Sequence, residues 1–228
     1  MQRIDTVRAT RFRDRREGGR VLAGELSDYA DRDDVVVLAL PRGGIPVGYE
    51  VALALDAPLD VFVVRKLGVP GYPELAMGAI ATGGAIVLDK HLIPELRISP
   101  SDVDRTIEEE LAELERRERV YRGERAPPKL EGKTVILVDD GLATGASMRA
   151  AALAARKHEP EAVVIAVPVA ATQSCEEFRD EADDVVCART PEPFYAVGLW
   201  YEDFSQTGDE EVRELLARSL RVENNGSR

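Results

Sequence analysis

The sequence predicts an α/β fold: a doubly wound, mostly parallel sheet flanked by helices, with a small C-terminal lobe. Three observations carry this reading. Val35–Leu40, Val61–Val64, Thr134–Val138 and Val163–Val169 are nearly unbroken β-branched and aliphatic runs, as strands covered on both faces require. Helical patterns separate most of these runs, and strand–helix alternation is the signature of parallel sheets with crossover helices. The chain has 228 residues, 44% hydrophobic and only 5% aromatic, so one core of Val, Leu, Ile and Ala is within reach.

Taken in order, the helical patterns are Pro46–Leu55 after the first strand, Ser147–Lys157 after the third and Ser174–Ala182 after the fourth. The longest spans Pro100–Arg122. Ser99 stands at its N-cap, Pro100 at the first helical position and Asp102 in the first turn, with Gly123 past its end. Val103, Ile107, Leu111 and Leu114 give it an apolar stripe, and the Glu and Arg residues between them read as a solvated face. Residues 66–85 hold glycines and two prolines and read as a long loop, a type of segment that is usually functional inside a compact domain. Beyond Asp183, Phe194, Tyr195, Trp200, Tyr201 and Phe204 form an aromatic lobe, closed by a helix over Asp209–Leu220 and a frayed tail over Glu223–Arg228. The expected organisation is a core over 1–182, with an N-terminal extension and a flexible loop over 66–85. A lobe and closing helix over 183–228 belong to the same domain.

The net charge is −12 and the pI is near 4.8, which argues against a nucleic-acid surface. Cys175 and Cys187 lack metal-ligand spacing and are too few for a disulfide framework. His91 and His158 stand alone and fit surface or helix-end positions. The N-terminus lacks an apolar signal region and no run approaches a membrane span, so a soluble, cytoplasmic protein is expected.

The chemistry concentrates in Thr134–Met148. A hydrophobic strand ends in two adjacent acids, Asp139 and Asp140, then a loop of small residues, then a helix. Ligands of open α/β sheets sit beyond the carboxyl ends of strands. The loop Ala143, Thr144, Gly145, Ala146 and Ser147 carries no bulky side chain, so its amides can converge on an anion. The helix start adds positive dipole, and Thr144 and Ser147 add hydroxyls. This arrangement suits a phosphate. Carboxylates repel phosphate, so the acid pair must face sugar hydroxyls or a divalent cation. A phosphorylated ribose meets both demands.

Val-Ile-Leu-Val-Asp-Asp-Gly-Leu-Ala-Thr-Gly-Ala-Ser resembles the signature of the type I phosphoribosyltransferases at every position. Pro41, Arg42, Gly43 and Gly44 resemble that family's pyrophosphate-binding loop. Arg65, Lys66 and the following Gly…Pro-Gly stretch resemble the start of the flexible catalytic loop of adenine phosphoribosyltransferases, where Glu74 would be a loop acid. Tyr195 to Gly198 and Glu202, Asp203 and Phe204 resemble the hood of hypoxanthine-type enzymes, although the spacing differs by about one residue and Trp200 is extra. The resemblance implies that Mg²⁺ is held near Asp139, Asp140 and Asp203, and that Tyr195, Trp200 and Phe204 line the base site. It implies transfer of the phosphoribosyl group of 5-phosphoribosyl-1-pyrophosphate to a nitrogenous, purine-like base, and a homodimer is common among relatives. A non-catalytic sensor of the same ligand is the alternative. A receiver domain would carry its acids after the first strand, and a nucleotide-hydrolase P-loop would need a Gly-Lys-Ser/Thr that is absent.

Overall fold

The structure is a computed structural model describing residues 11–226, with side chains described through Leu220. Helix α1 (Arg15–Glu25) opens on Asp14, whose side chain accepts the Glu17 N–H at 2.8 Å, a standard N-cap. Strand β1 (Val35–Ala39) leads into α2 (Gly44–Leu55) and β2 (Leu59–Val61). Strands β3 (Val64–Val69), β4 (Tyr72–Ala81) and β5 (Ala85–Leu88) follow, then the short α3 (Leu92–Glu95) and the long α4 (Pro100–Arg122). The chain continues through β6 (Thr134–Val138), α5 (Ala146–Arg156), β7 (Ala162–Val169), α6 (Thr172–Glu177), β8 (Asp184–Arg189) and α7 (Asp209–Gly226).

Five strands form a parallel sheet in the order β2-β1-β6-β7-β8. Alternate residues of its strands enter opposite cores. Val35, Val37, Ile136, Val138 and Val164 pack with α1, α2, α4 and α7 on one face. Val36, Leu38, Val135, Leu137, Val163 and Ile165 pack with α5 and Phe178 on the other. Both faces are covered, which is why the strands read as continuous apolar runs.

Several expectations need correction. The run Val61–Val64 is not one strand, because β2 ends at Val61 and Val64 begins a separate antiparallel sheet, β3-β4-β5. That sheet occupies residues 66–85, so the long loop is a hairpin with a third strand. Its glycines and prolines sit where a hairpin uses them. Gly71 follows Pro70 in the turn at φ +81°, and Gly68 lies at a register shift, where an added Cβ would approach the Pro73 backbone at 2.9 Å. Strand β8 belongs to the main sheet, so the sheet runs past the expected boundary at residue 183. The closing helix runs to Gly226, through most of the expected tail; Ser227 and Arg228 lie outside the described residues. Cys175 and Cys187 form a disulfide joining α6 to β8, with Cα atoms 6.6 Å apart. Two cysteines are too few for a framework, but one staple needs only two that the fold brings together. Lone histidines fit as expected: His158 follows α5, and its Nε2 lies 3.2 Å from the Thr82 carbonyl oxygen.

Helix α4 is tied to β2, an edge strand of the main sheet. Arg122, with a side chain only 2% exposed, donates to both carboxylate oxygens of Asp60 at 3.1 Å and to the Val61 carbonyl at 2.9 Å. Burial raises the Asp60 carboxyl pKa and the facing guanidinium opposes it. Among the described residues no helix is long and apolar enough to cross a membrane.

Candidate sugar-phosphate site

Ala39 pairs with Val138, so β1 and β6 end side by side and release their loops into the same space. From β1 comes Pro41–Gly44, whose Pro41–Arg42 peptide is cis. From β6 come Asp139, Asp140 and the small-residue loop.

The two loops interlock. A Cβ on Gly43 would fall on Oδ2 of Asp140 and lie 2.7 Å from its Cγ, and one on Gly44 would lie 2.7 Å from the Val138 carbonyl oxygen. The glycines expected to let backbone approach a ligand also make room for the acid pair. Asp139 Oδ1 accepts the Asp140 N–H at 2.8 Å, and Asp140 Oδ2 accepts the Arg15 Nε–H at 2.8 Å. Among the described residues, each acid thus has one oxygen hydrogen-bonded within the protein and one without a hydrogen-bond partner. Burial, and then the charge of Asp140, lifts the Asp139 pKa well above the usual carboxylate range. Burial also raises Asp140, against the opposing pull of Arg15. The phenol of Tyr201 donates to the Asp140 carbonyl at 2.5 Å.

The loop 143–147 is held in place from both ends. Leu142 is tied to β7 by its N–H to the Val169 carbonyl at 2.9 Å, and the Ser174 hydroxyl donates to the Ala143 carbonyl. Gly145 adopts φ +70°, and a Cβ there would meet Phe178 Cζ at 2.8 Å. Arg149 N–H bonds back to the Gly145 carbonyl at 2.8 Å. The amides ahead of it are the ones a helix start leaves open, and no side chain caps this helix. Thr144, Ala146 and Ser147 are exposed around them.

The other expected residues make contacts of their own. Arg65 is held by Glu110 of α4, Nε to Oε2 at 2.6 Å, while Lys66 and Glu74 are exposed on the hairpin. Arg42 lies 3.7 Å from Asp209 and borders a cavity of about 230 Å³ with Arg116, Arg117 and Tyr121. Asp203 accepts the Ser205 N–H at 2.9 Å and borders a cavity of about 200 Å³ shared with Arg15. Its pKa is lowered by the Ser205 backbone N–H first and only weakly by Arg15. Asp203 does not complete a metal cluster with the acid pair: among the described residues no three His, Cys, Asp or Glu converge as a metal site. The expected Mg²⁺ ligand set of three protein acids is not assembled.

In the aromatic lobe Tyr195 is 79% exposed. Trp200 stacks on Phe194 with centroids 6.5 Å apart, and its buried indole Nε1 has no hydrogen-bond partner among the described residues. Phe204 lies beside Tyr201 at 5.2 Å and beneath the Arg15 guanidinium at 3.9 Å. Its ring is therefore occupied from within the protein. The sequence reading missed Arg15, Tyr201 and Ser174. Arg15 lies 125 positions from the acid it binds, and no local pattern marks it.

A family model of the phosphoribosyl transferase domain matches residues 14–199. The chain belongs to this phosphoribosyl transferase family. Proteins of two Mycobacterium tuberculosis strains, provisionally named phosphoribosyl transferases, are each 46% identical over 210 residues. The alignment covers 92% of this chain and 47% of theirs, so the chain spans about half the length of these curated relatives. The solved structure of TT1426 from Thermus thermophilus is 42% identical with a TM-score of 0.81, covering 92% of this chain and 99% of that one. The phosphoribosyl transferase match begins at Asp14, so α1 and Arg15 fall inside the family domain.

Proposed function

We propose that the chain transfers the phosphoribosyl group of 5-phosphoribosyl-1-pyrophosphate to a nitrogenous, purine-like base and releases pyrophosphate. The observation that carries this reading is the pairing of an open helix-start cradle at 143–147 with two acids that each keep one oxygen free. The cradle suits the 5-phosphate, and the two oxygens suit the vicinal 2- and 3-hydroxyls.

In this reaction the bond from ribose C1 to the pyrophosphate oxygen breaks as a ring nitrogen bonds to C1, with inversion; the nitrogen's proton is released to pyrophosphate or solvent. No protein nucleophile is needed. The acids orient the sugar, the cradle fixes its far end, and the glycine backbone at 43–44 accommodates the leaving group. Mg²⁺ fits this donor set only as part of a shell completed by substrate and water oxygens, as is common for this ion. Bound there, it would supply positive charge to the departing pyrophosphate. Tyr195 is the ring best exposed to stack on the base.

A sensor without turnover is the second reading. It is favoured by one observation, the engagement of Arg65 with Glu110 rather than with open space. One experiment separates the two: a panel of nitrogenous bases with 5-phosphoribosyl-1-pyrophosphate and Mg²⁺, scored for pyrophosphate release. Turnover with a base supports the transferase, ligand binding without turnover across the panel supports the sensor, and no binding sinks both.

A further inference from the structure

A guanidinium is buried against the acid pair, and the ribosyl reading alone does not require one. The Arg15 side chain is 11% exposed and makes three contacts. Its Nε donates to Asp140 Oδ2 at 2.8 Å, its Nη1 donates to the Ser205 carbonyl at 2.7 Å, and its Cζ lies 3.9 Å from the Phe204 ring centroid. One planar group therefore touches the acid, the lobe backbone and a lobe ring. Arginine suits this work because its donors lie in a rigid plane whose face also stacks on aromatics, whereas a lysine ammonium has neither the plane nor the fixed donor directions.

We infer that Arg15 is a positioning residue for the sugar, selecting a vicinal diol by holding Asp140 in one rotamer. With Oδ2 committed to the guanidinium, Oδ1 is the oxygen presented to a ribose hydroxyl. The contacts to Ser205 and Phe204 stop the guanidinium from following the carboxylate if it turns. Asp139 is fixed independently through the Asp140 N–H. Two oriented acceptors then match two adjacent hydroxyls, and a sugar lacking the 2-hydroxyl leaves one acceptor unanswered. This inference rests on the ribosyl reading of the site.

The test compares ribose 5-phosphate with 2-deoxyribose 5-phosphate by calorimetry on the full chain, for the wild type, Arg15→Lys and Arg15→Gln, with melting curves alongside. Each variant is judged on the ratio of the two affinities. A partly unfolded sample lowers the number of sites but leaves that ratio intact. The wild type is expected to prefer ribose 5-phosphate by about tenfold, the factor that about 1.4 kcal/mol gives. Arg15→Gln is expected to bring the two sugars within about twofold, mainly by weakening ribose 5-phosphate, with Arg15→Lys in between. If Arg15→Gln does not fold, Arg15→Lys carries the test, with a reduced ratio as support. Variants that keep the wild-type ratio, or that weaken both sugars equally, overturn the role of Arg15 and leave the ribosyl reading standing. A wild type that binds neither sugar, or both equally, sinks that reading and this inference with it.

Discussion

Gly43 is packed against Asp140 so tightly that a Cβ would fall on the carboxylate. Its φ of −62° and ψ of −33° are open to any residue, so space alone excludes a side chain. Gly43→Ala must displace the carboxylate or the loop. It is expected to cost about 1–3 kcal/mol of stability as an overpacked site and to lower pyrophosphate release about a hundredfold. Near-normal release in this variant would show that the two loops are not coupled.

Asp140→Asn removes an acceptor for the sugar while keeping its shape. Turnover should fall about a hundredfold or more, in line with the loss of one well-placed polar group. Steady-state pyrophosphate release measures this, and near-wild-type turnover refutes the site.

Asp139 carries a stability cost with a definite sign. Its folded pKa is raised, by burial first and by Asp140 second. As pH climbs above the ordinary carboxylate range, the unfolded chain sheds this proton before the folded one does, and the fold loses stability. Asp139→Asn removes that loss. The variant should melt higher than the wild type at pH 7, converge with it towards pH 4, and turn over far more slowly. Melting curves across this range decide it, and a lower melting point at pH 7 would count against the assignment.

Much of this arrangement was legible in the sequence. Helix α4 falls at Pro100–Arg122, because Ser99, Pro100 and Gly123 mark both ends. The end of β6 at Val138, just before the acid pair, and the helix start at Ala146 followed from one apolar run and one loop of small residues. What was not legible depends on distant contacts. The Gly18–Gly19 pair makes α1 a poor helix on propensity, yet Gly19 lies where a Cβ would come 2.7 Å from the Val47 carbonyl oxygen of α2. The glycines serve close helix packing. Strand β8 is a short, partly exposed edge strand with a charge at each end, so its apolar run was too brief to stand out. The hairpin was hidden because turn residues and loop residues are the same residues.

The buried pair Asp60–Arg122 should behave as a unit. Asp60→Ala leaves a guanidinium only 2% exposed with Glu118, 3.2 Å away, as its remaining carboxylate, and is expected to cost about 3 kcal/mol. Adding Arg122→Met should recover a large share of that. Denaturant midpoints of the single and double variants test it, and equal losses in both would argue against the pair.

The Cys175–Cys187 disulfide closes a loop with a sequence separation of 12. Cys187→Ser should lower stability by about 3 kcal/mol in oxidising buffer, and a reductant should erase the difference from wild type. A gap that persists in reductant would point to lost packing rather than a lost cross-link.

Phe12 and Arg13 run alongside Trp200 to Asp203. The Phe12 N–H donates to the Trp200 carbonyl at 2.8 Å, Glu202 N–H to the Phe12 carbonyl at 2.8 Å and Asp203 N–H to the Arg13 carbonyl at 2.9 Å. The aromatic lobe is thus tied to the start of the described chain by bonds between segments nearly 190 positions apart, since Arg15 also reaches Ser205. For protein engineering, Phe12 and Arg13 are then no neutral handle: trimming the chain past Arg13 would remove these bonds to the aromatic lobe while leaving the acid pair and the loop 143–147 untouched in sequence.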